Sequence, residues 1–163
     1  MIDQATLLQR VHYDPKTGAF TWRATTVYQE RRVGQEAGWL DTHGHRVIEI
    51  EGIRYKAGRL AFLYMLGRWP EHEADHRNRK PFDNRWVNLR DATRLDNNVN
   101  RVRCRKSDLP RGVDRNKAGF MARCRRDGIV HHLGTFATPE LASEAYQRFA
   151  KELHGEFLPE IAA

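Results

Sequence analysis

The order of apolar and polar positions divides the chain into short elements separated by turn signals. Asp14-Pro15-Lys16-Thr17-Gly18 precedes the strand-like Ala19-Phe20-Thr21-Trp22, and Glu51-Gly52 separates strand-like runs at residues 46–50 and 53–56, which predicts a small sheet with a hairpin. Residues 59–67 set Leu60, Leu63, Tyr64 and Leu66 near helical spacing and stop at a glycine, so a short packed helix is expected there. After Trp69-Pro70 come Asp75-His76, a polar loop through Phe82, a strand-like stretch at 85–90 and a helix entered near Thr93. Residues 101–107 are basic and without apolar periodicity, and Pro110 ends them.

Beyond Pro110, residues 111–115, 119–126 and 129–134 read as three short strands, with Asp127-Gly128 a strong two-residue hairpin signal. The last helix is the best specified: Thr138 as N-cap, Pro139 at the first helical position, Glu140 in the first turn, an apolar stripe of Leu141, Ala142, Ala145, Phe149 and Leu153, and Gly155 at the end. The expected fold class is α+β. A first region, 1–103, holds small sheets and a strand, loop, strand, helix core at about 55–101; a basic linker covers 104–109. The last region, 110–163, is a three-stranded antiparallel sheet packed on one helix.

Composition narrows the function classes. At 163 residues and 40% hydrophobic content the chain can form one ordinary domain or two small ones. The longest apolar run, 60–66, is far below the roughly 20 residues of a membrane span, and the first four residues do not open a signal peptide, so a soluble intracellular protein is expected. Cys104 and Cys124 lie in different segments with no second pair, which gives neither a disulfide framework nor a Cys-rich zinc site; both are read as reduced thiols. His131-His132 beside Cys124 does not rescue zinc, since adjacent strand residues face apart. Trp22, Trp39, Trp69 and Trp86 are expected in the core.

Charge changes the picture through its placement. Lys and Arg exceed Asp and Glu by 28 − 21 = +7, and residues 101–127 alone carry ten basic against three acidic side chains, the whole excess. Such a concentration favours a phosphate-binding surface over a merely solvated face. Arg101, Arg103, Arg105, Lys106, Arg111, Arg115, Lys117, Arg123 and Arg125 are the DNA-contact candidates. In 119–126, Phe120, Ala122 and Cys124 alternate with Met121, Arg123 and Arg125, so one face can pack while the other shows arginines to a major groove.

The chemistry sits upstream. Asp75 and Asn97 offer a carboxylate and an amide oxygen, two hard ligands that leave most of a Mg²⁺ or Mn²⁺ shell free for phosphate oxygens and water. His76, with an ordinary pKa of about 6.5, suits a general base near neutral pH. Asp75 and His76 can share a site only if the strand ends or bulges there. Asn88 can tie the polar loop through side-chain bonds to backbone groups and so orient the His76 ring.

In order and spacing, Asp75-His76, Asp83-Asn84-Arg85, Asn88-Leu89-Arg90, Thr93, Asn97 and Asn100 resemble the H-N-H nuclease family of phage and intron homing endonucleases, over about residues 55–101. Tyr13-Asp14-Pro15, Thr17-Gly18 and Trp22-Arg23 recur in such phage proteins. The resemblance implies a ββα-metal fold, a divalent ion (Mg²⁺ or Mn²⁺) on Asp75 and Asn97, His76 activating water, and products with a 5′-phosphate and a 3′-hydroxyl. Gly58-Arg59-Leu60 departs from the His-Arg-Leu usual in relatives, so any contact made by that histidine is missing.

Arg111-Gly112-Val113, Ala122, Leu133-Gly134-Thr135-Phe136, Ala142, Ala145-Tyr146 and His154-Gly155 resemble the Apetala-two (ethylene-response-factor) DNA-binding domain, from about Leu109 to Phe157. This implies a three-stranded sheet in the major groove backed by one helix. Asp114 stands where plant members have Arg, Phe120 and His132 replace usual tryptophans, and Arg123 stands where Glu is frequent, so the plant target sequence does not carry over. The reading is a phage-type endonuclease acting on double-stranded DNA, nicking as the simpler outcome, monomer or homodimer, with no membrane partner and located at DNA in the cytoplasm of a bacterial host. Two rivals stand beside it. One is a sequence-specific DNA-binding regulator with an inactive nuclease half; the other is a structure-selective nuclease whose basic segment binds phosphates without sequence preference.

Overall fold

The computed structural model describes residues 1–23, 32–100 and 108–158, and the chain separates into two compact units, Met1–Asn97 and Asn98–Ala163. Among the described residues no helix is long and apolar enough to cross a membrane. The architecture is α+β, with small antiparallel sheets and, among the described residues, four α-helices.

In the first unit, α1 (Gln4–Arg10) starts where the Asp3 carboxylate accepts the Thr6 N–H, and it buries Leu7. Sequence reading did not anticipate this helix. β1 (Val11–Tyr13) pairs antiparallel with β2 (Phe20–Trp22). In the turn between them Gly18 has φ +77°, and a Cβ there would come within 2.5 Å of the Arg85 nitrogen. Only glycine allows this close approach, which presses the turn onto the Asn84-Arg85 backbone. The Tyr13 hydroxyl donates to the Asn84 carbonyl at 2.7 Å, and the Trp86 N–H donates to the Pro15 carbonyl at 3.0 Å. The β1–β2 hairpin thus braces the loop that carries Asn84.

β3 (Trp39–Leu40), β4 (Arg46–Ile50) and β5 (Ile53–Lys56) form a three-stranded sheet. Glu51 and Gly52 take φ 53° and 75°, the consecutive left-handed pair that fits a tight hairpin turn. α2 (Ala57–Leu66) leaves β5 directly, two residues earlier than its apolar spacing indicates, and stops at Gly67 with φ 69°. Leu60, Ala61, Phe62 and Leu63 of α2 join Leu7, Val11, Tyr13, Phe20, Ile48, Ile50 and Leu89 in one core. Trp22, Trp69 and Trp86 pack against that core, but Trp39 is 45% exposed with the Arg54 guanidinium over its ring. The expectation of a buried Trp39 is corrected: β3 is a two-residue edge strand with both side chains exposed.

β6 (Glu73–His76) pairs antiparallel with β7 (Leu89–Ala92) in a regular register. The strand expected at 85–90 is instead a 3₁₀ turn, Trp86–Asn88, followed by β7. Its polar side chains capture the backbone: Asp83 accepts from the Arg85 N–H and guanidinium, and Asn88 bonds back into the loop. α3 (Arg94–Asn100) follows, with the Thr93 hydroxyl accepting the Asp96 N–H.

In the second unit, β8 (Val113–Asn116), β9 (Gly119–Arg126) and β10 (Ile129–Phe136) form an antiparallel sheet in the order β10, β9, β8, with a register shift between His132 and Gly134. α4 (Pro139–His154) is capped by Thr138, whose hydroxyl accepts the Leu141 N–H. Its buried row is Ala142, Tyr146, Ala150 and His154, while Leu141 is 47% exposed. Of the expected stripe only Leu141 turns outward: Ala142 is buried and Ala145, Phe149 and Leu153 pack against the core, joined by Tyr146 and Ala150 on a four-residue ridge. Gly112, at φ +79°, lies so close to the Tyr146 ring that a Cβ would overlap it. Cys124 is a free, buried thiol whose sulfur lies 3.5 Å from His154 Nε2, and the His131 ring packs on Phe149. Burial pushes the Cys124 thiol up from its ordinary pKa, in keeping with a core residue.

Candidate active site

The β6–β7 hairpin sorts its side chains by alternation. Asp75 faces Arg90 across the ladder, and Nε and Nη2 of Arg90 both donate to Asp75 Oδ2 at 2.8 Å. The pair is nearly dry, with side-chain exposures of 6% and 4%. His76, the last residue of β6, shows no bulge in its pairing and is also buried.

His76 Nε2 lies 3.1 Å from Asn84 Oδ1. The Asn84 amide nitrogen donates to the Phe82 carbonyl at 3.2 Å, which orients its oxygen toward the imidazole. Nε2 is then the protonated nitrogen of the neutral ring, and Nδ1 the basic one. Burial lowers the His76 pKa below its ordinary value; the Asn84 bond and then Asp75 oppose that shift. With its pKa lowered in this way, the buried ring is neutral at pH 7.

Asn88 spans the adjoining loop. Its Oδ1 accepts the Asn78 N–H at 3.0 Å, and its Nδ2 donates to Asn78 Oδ1 at 3.0 Å and to the Asp83 carbonyl at 2.7 Å. Asp83 also receives Arg85 at 2.6 and 2.8 Å and Asn78 Nδ2 at 2.6 Å, and the Arg85 bond foremost holds its carboxyl down to about 2. Asn88 touches loop groups, and through them fixes the path on which Asn84 sits.

Asn97, on α3, donates its amide N–H to the Glu73 carboxylate. Glu73 and Asp75 share a strand face by alternation, so α3 brings the Asn97 amide to the side of the hairpin that carries both carboxylates. With Nδ2 committed to Glu73, the Asn97 oxygen is the atom left for a cation. Among the described residues no three His, Cys, Asp or Glu side chains converge into a metal cage. Asp75, Glu73 and Asn97 are the hard-oxygen groups on this side of the hairpin, the donor type a divalent ion takes together with oxygens from substrate and water.

A second imidazole lies here that sequence reading did not single out. The His45 ring centroid is 5.9 Å from that of His76, tilted by 47°. Burial first, then the Lys56 charge, lowers the His45 pKa. Lys56 also acts on His76 in the same direction. Asn84, Glu73 and Arg90 were likewise unassigned by sequence; Asn84 and Arg90 stood inside the motif run, whereas His45 is 31 positions before His76 with no local signal. Gly58 faces this site too: a Cβ on it would meet Asn84 Oδ1 at 3.5 Å and the Ala74 and Leu89 side chains at 3.6 Å.

Of the basic residues proposed for DNA, Arg101, Arg103, Arg105 and Lys106 lie outside the described residues. Arg123 and Arg125 are exposed on β9, on the face opposite Ala122 and Cys124, and Arg123 Nε bonds Asp114 at 2.6 Å. Lys117 is exposed in the β8–β9 turn. Arg115 lies over the Phe120 ring, and Arg111 donates to the Val99 carbonyl at 2.9 Å.

Residues 55–99 match the family model described as HNH endonuclease. The chain is also 30% identical over 112 residues to a protein of Acanthamoeba polyphaga mimivirus described as an uncharacterized HNH endonuclease, covering 64% of this chain and 59% of that protein. The chain thus spans about three fifths of the length of the curated relative it matches. No solved structure matches. The matched segment begins at Tyr55 on β5 and closes within α3, so it contains α2, the β6–β7 hairpin, Asp75, His76, Asn84, Asn88 and Asn97.

Proposed function

From the HNH endonuclease match over residues 55–99, we propose that this chain is a metal-dependent DNA endonuclease that hydrolyses phosphodiester bonds at the β6–β7 hairpin. The observation that carries the reading is a buried His76 whose Nε2 lies 3.1 Å from Asn84 Oδ1, one residue from a buried carboxylate.

In this reading His76 Nδ1 takes the proton of a water that attacks phosphorus. Asn84 holds the ring in that tautomer, and Asn88 holds the loop that carries Asn84. Asp75 and Asn97 would hold a Mg²⁺ or Mn²⁺ ion; when bound, it supplies Lewis-acid stabilisation of charge on the phosphate and the leaving 3′ oxygen. Arg90 keeps the buried Asp75 charge compensated. The products carry a 5′-phosphate and a 3′-hydroxyl. One such site in one chain nicks, and a double-strand break requires a second chain or a second event.

Target choice falls to the second unit, with Arg123, Arg125 and Lys117 presented to double-stranded DNA by its sheet and the basic residues 101–106 contributing phosphate contacts. An Apetala-two-like role for residues 110–163 rests on the motif resemblance, together with the β8–β9–β10 sheet and α4. Incubating supercoiled plasmid with the chain in Mg²⁺, Mn²⁺ or EDTA tests the proposal. Open-circle product that requires the metal supports it; tight DNA binding without cleavage in any metal would return the chain to the regulator reading.

A further inference from the structure

The turn that leads into β4 is closed by its own polar groups. The Asp41 carboxylate accepts the N–H of His43 at 2.8 Å and of His45 at 2.9 Å, and the Asp41 N–H donates to the His45 carbonyl at 2.8 Å. Three hydrogen bonds converge on one turn whose last side chain is His45. That ring is half-buried against His76, and among the described residues neither of its nitrogens has a hydrogen-bond partner. Lys56 ends β5 opposite Val47, two residues along β4 from His45. Here its polar atoms are left beside the base of a phosphodiesterase site, next to a lysine.

Resting on the nuclease reading above, we infer that His45, with Lys56 behind it, forms the phosphate-binding arm of the site. A ring N–H of His45 donates to a non-bridging oxygen of the scissile phosphate while His76 receives the proton of the attacking water. The separation suits this division. An imidazole reaches an oxygen about 4 Å from its centroid, ring radius plus one hydrogen bond, and two rings 5.9 Å apart then reach two neighbouring oxygens of one reacting phosphate. A neutral imidazole suffices for this donation, and Lys56 supplies the positive charge as the phosphorane gains negative charge.

The test compares wild type, His45→Ala and His45→Gln in single-turnover cleavage of supercoiled plasmid with Mg²⁺, beside thermal melting and binding of a duplex in EDTA. Loss of a donor aimed at developing charge costs about 10²–10³-fold in rate. The expected result is that fall for His45→Ala with melting unchanged and a smaller loss in duplex affinity than in rate, and partial recovery in His45→Gln, whose amide keeps an N–H. Wild-type cleavage by His45→Ala overturns the inference. So does a loss of activity that tracks a collapsed melting transition in both variants, since the ring would then serve packing. Failure of the wild-type chain itself to cleave under Mg²⁺ or Mn²⁺ would remove the nuclease reading and this inference together.

Discussion

Replacing Asn84 with alanine separates positioning from chemistry. The change deletes the acceptor 3.1 Å from His76 Nε2 and the donor 3.2 Å from the Phe82 carbonyl, while the Tyr13 bond to the Asn84 backbone carbonyl survives. His76 and Asn84 are both buried, so water does not freely replace the lost partner. An orphaned buried donor costs about 1–3 kcal/mol of stability. The catalytic cost is bounded differently: a neutral hydrogen bond is worth about 0.5–1.5 kcal/mol net, so loss of ring orientation should slow cleavage by roughly two- to twelvefold. Removing the base itself should cost about 10²–10⁴-fold. Denaturant midpoints and single-turnover plasmid nicking measure the two quantities. A rate loss for Asn84→Ala as deep as that for His76→Ala, in a folded protein, would refute the positioning role. So would an unchanged rate.

The other predictions concern stability. Arg90→Ala leaves the buried Asp75 charge without its guanidinium and should cost about 3–5 kcal/mol in urea unfolding; a loss below about 1 kcal/mol would mean that the pair is not dry. Gly58→Ala should stabilise by about 0.5–1 kcal/mol, since the new Cβ makes ordinary contacts in a helix that alanine favours, whereas Gly58→His must overpack against Asn84, Ala74 and Leu89 and should lose about 1–3 kcal/mol. Acid should act in two stages. His76 and His45 have lowered pKa values, chiefly through burial, so below about pH 6.5 the unfolded chain binds protons the fold does not, and stability falls. Asp83, lowered to about 2 by Arg85, adds a second loss as pH drops from 3.8 toward that value. A urea midpoint constant from pH 7 to 5 would contradict the first stage.

Much of this arrangement was legible because it is local. Thr138, Pro139 and Gly155 bracket α4 through caps that depend only on neighbours, and Glu51-Gly52 sets its hairpin by backbone conformation alone. Asp75, His76, Asn88 and Asn97 stand in one run, so order and spacing marked them together. What escaped was non-local or a competition between local preferences. His45 reaches the site only through the folding of β4 onto β5 and α2, which no spacing along the chain records. Residues 86–88 read as strand because Trp86 and Val87 favour it, yet Asp83 and Asn88 side chains captured the turn. Leu141 read as core by hydrophobicity, but the sheet accepted the ridge through Ala142, Tyr146 and Ala150. Trp39 read as core by residue type, and an edge strand left it outside.

The measurement that bears most directly on the central claim is single-turnover cleavage of supercoiled plasmid in Mg²⁺ by wild type and His76→Ala, purified identically and checked for equal folding. The wild type should convert the substrate to open circle, and His76→Ala should slow this by about 10²–10⁴-fold. Equal rates in the two proteins would show that His76 is not the base and would contradict the account.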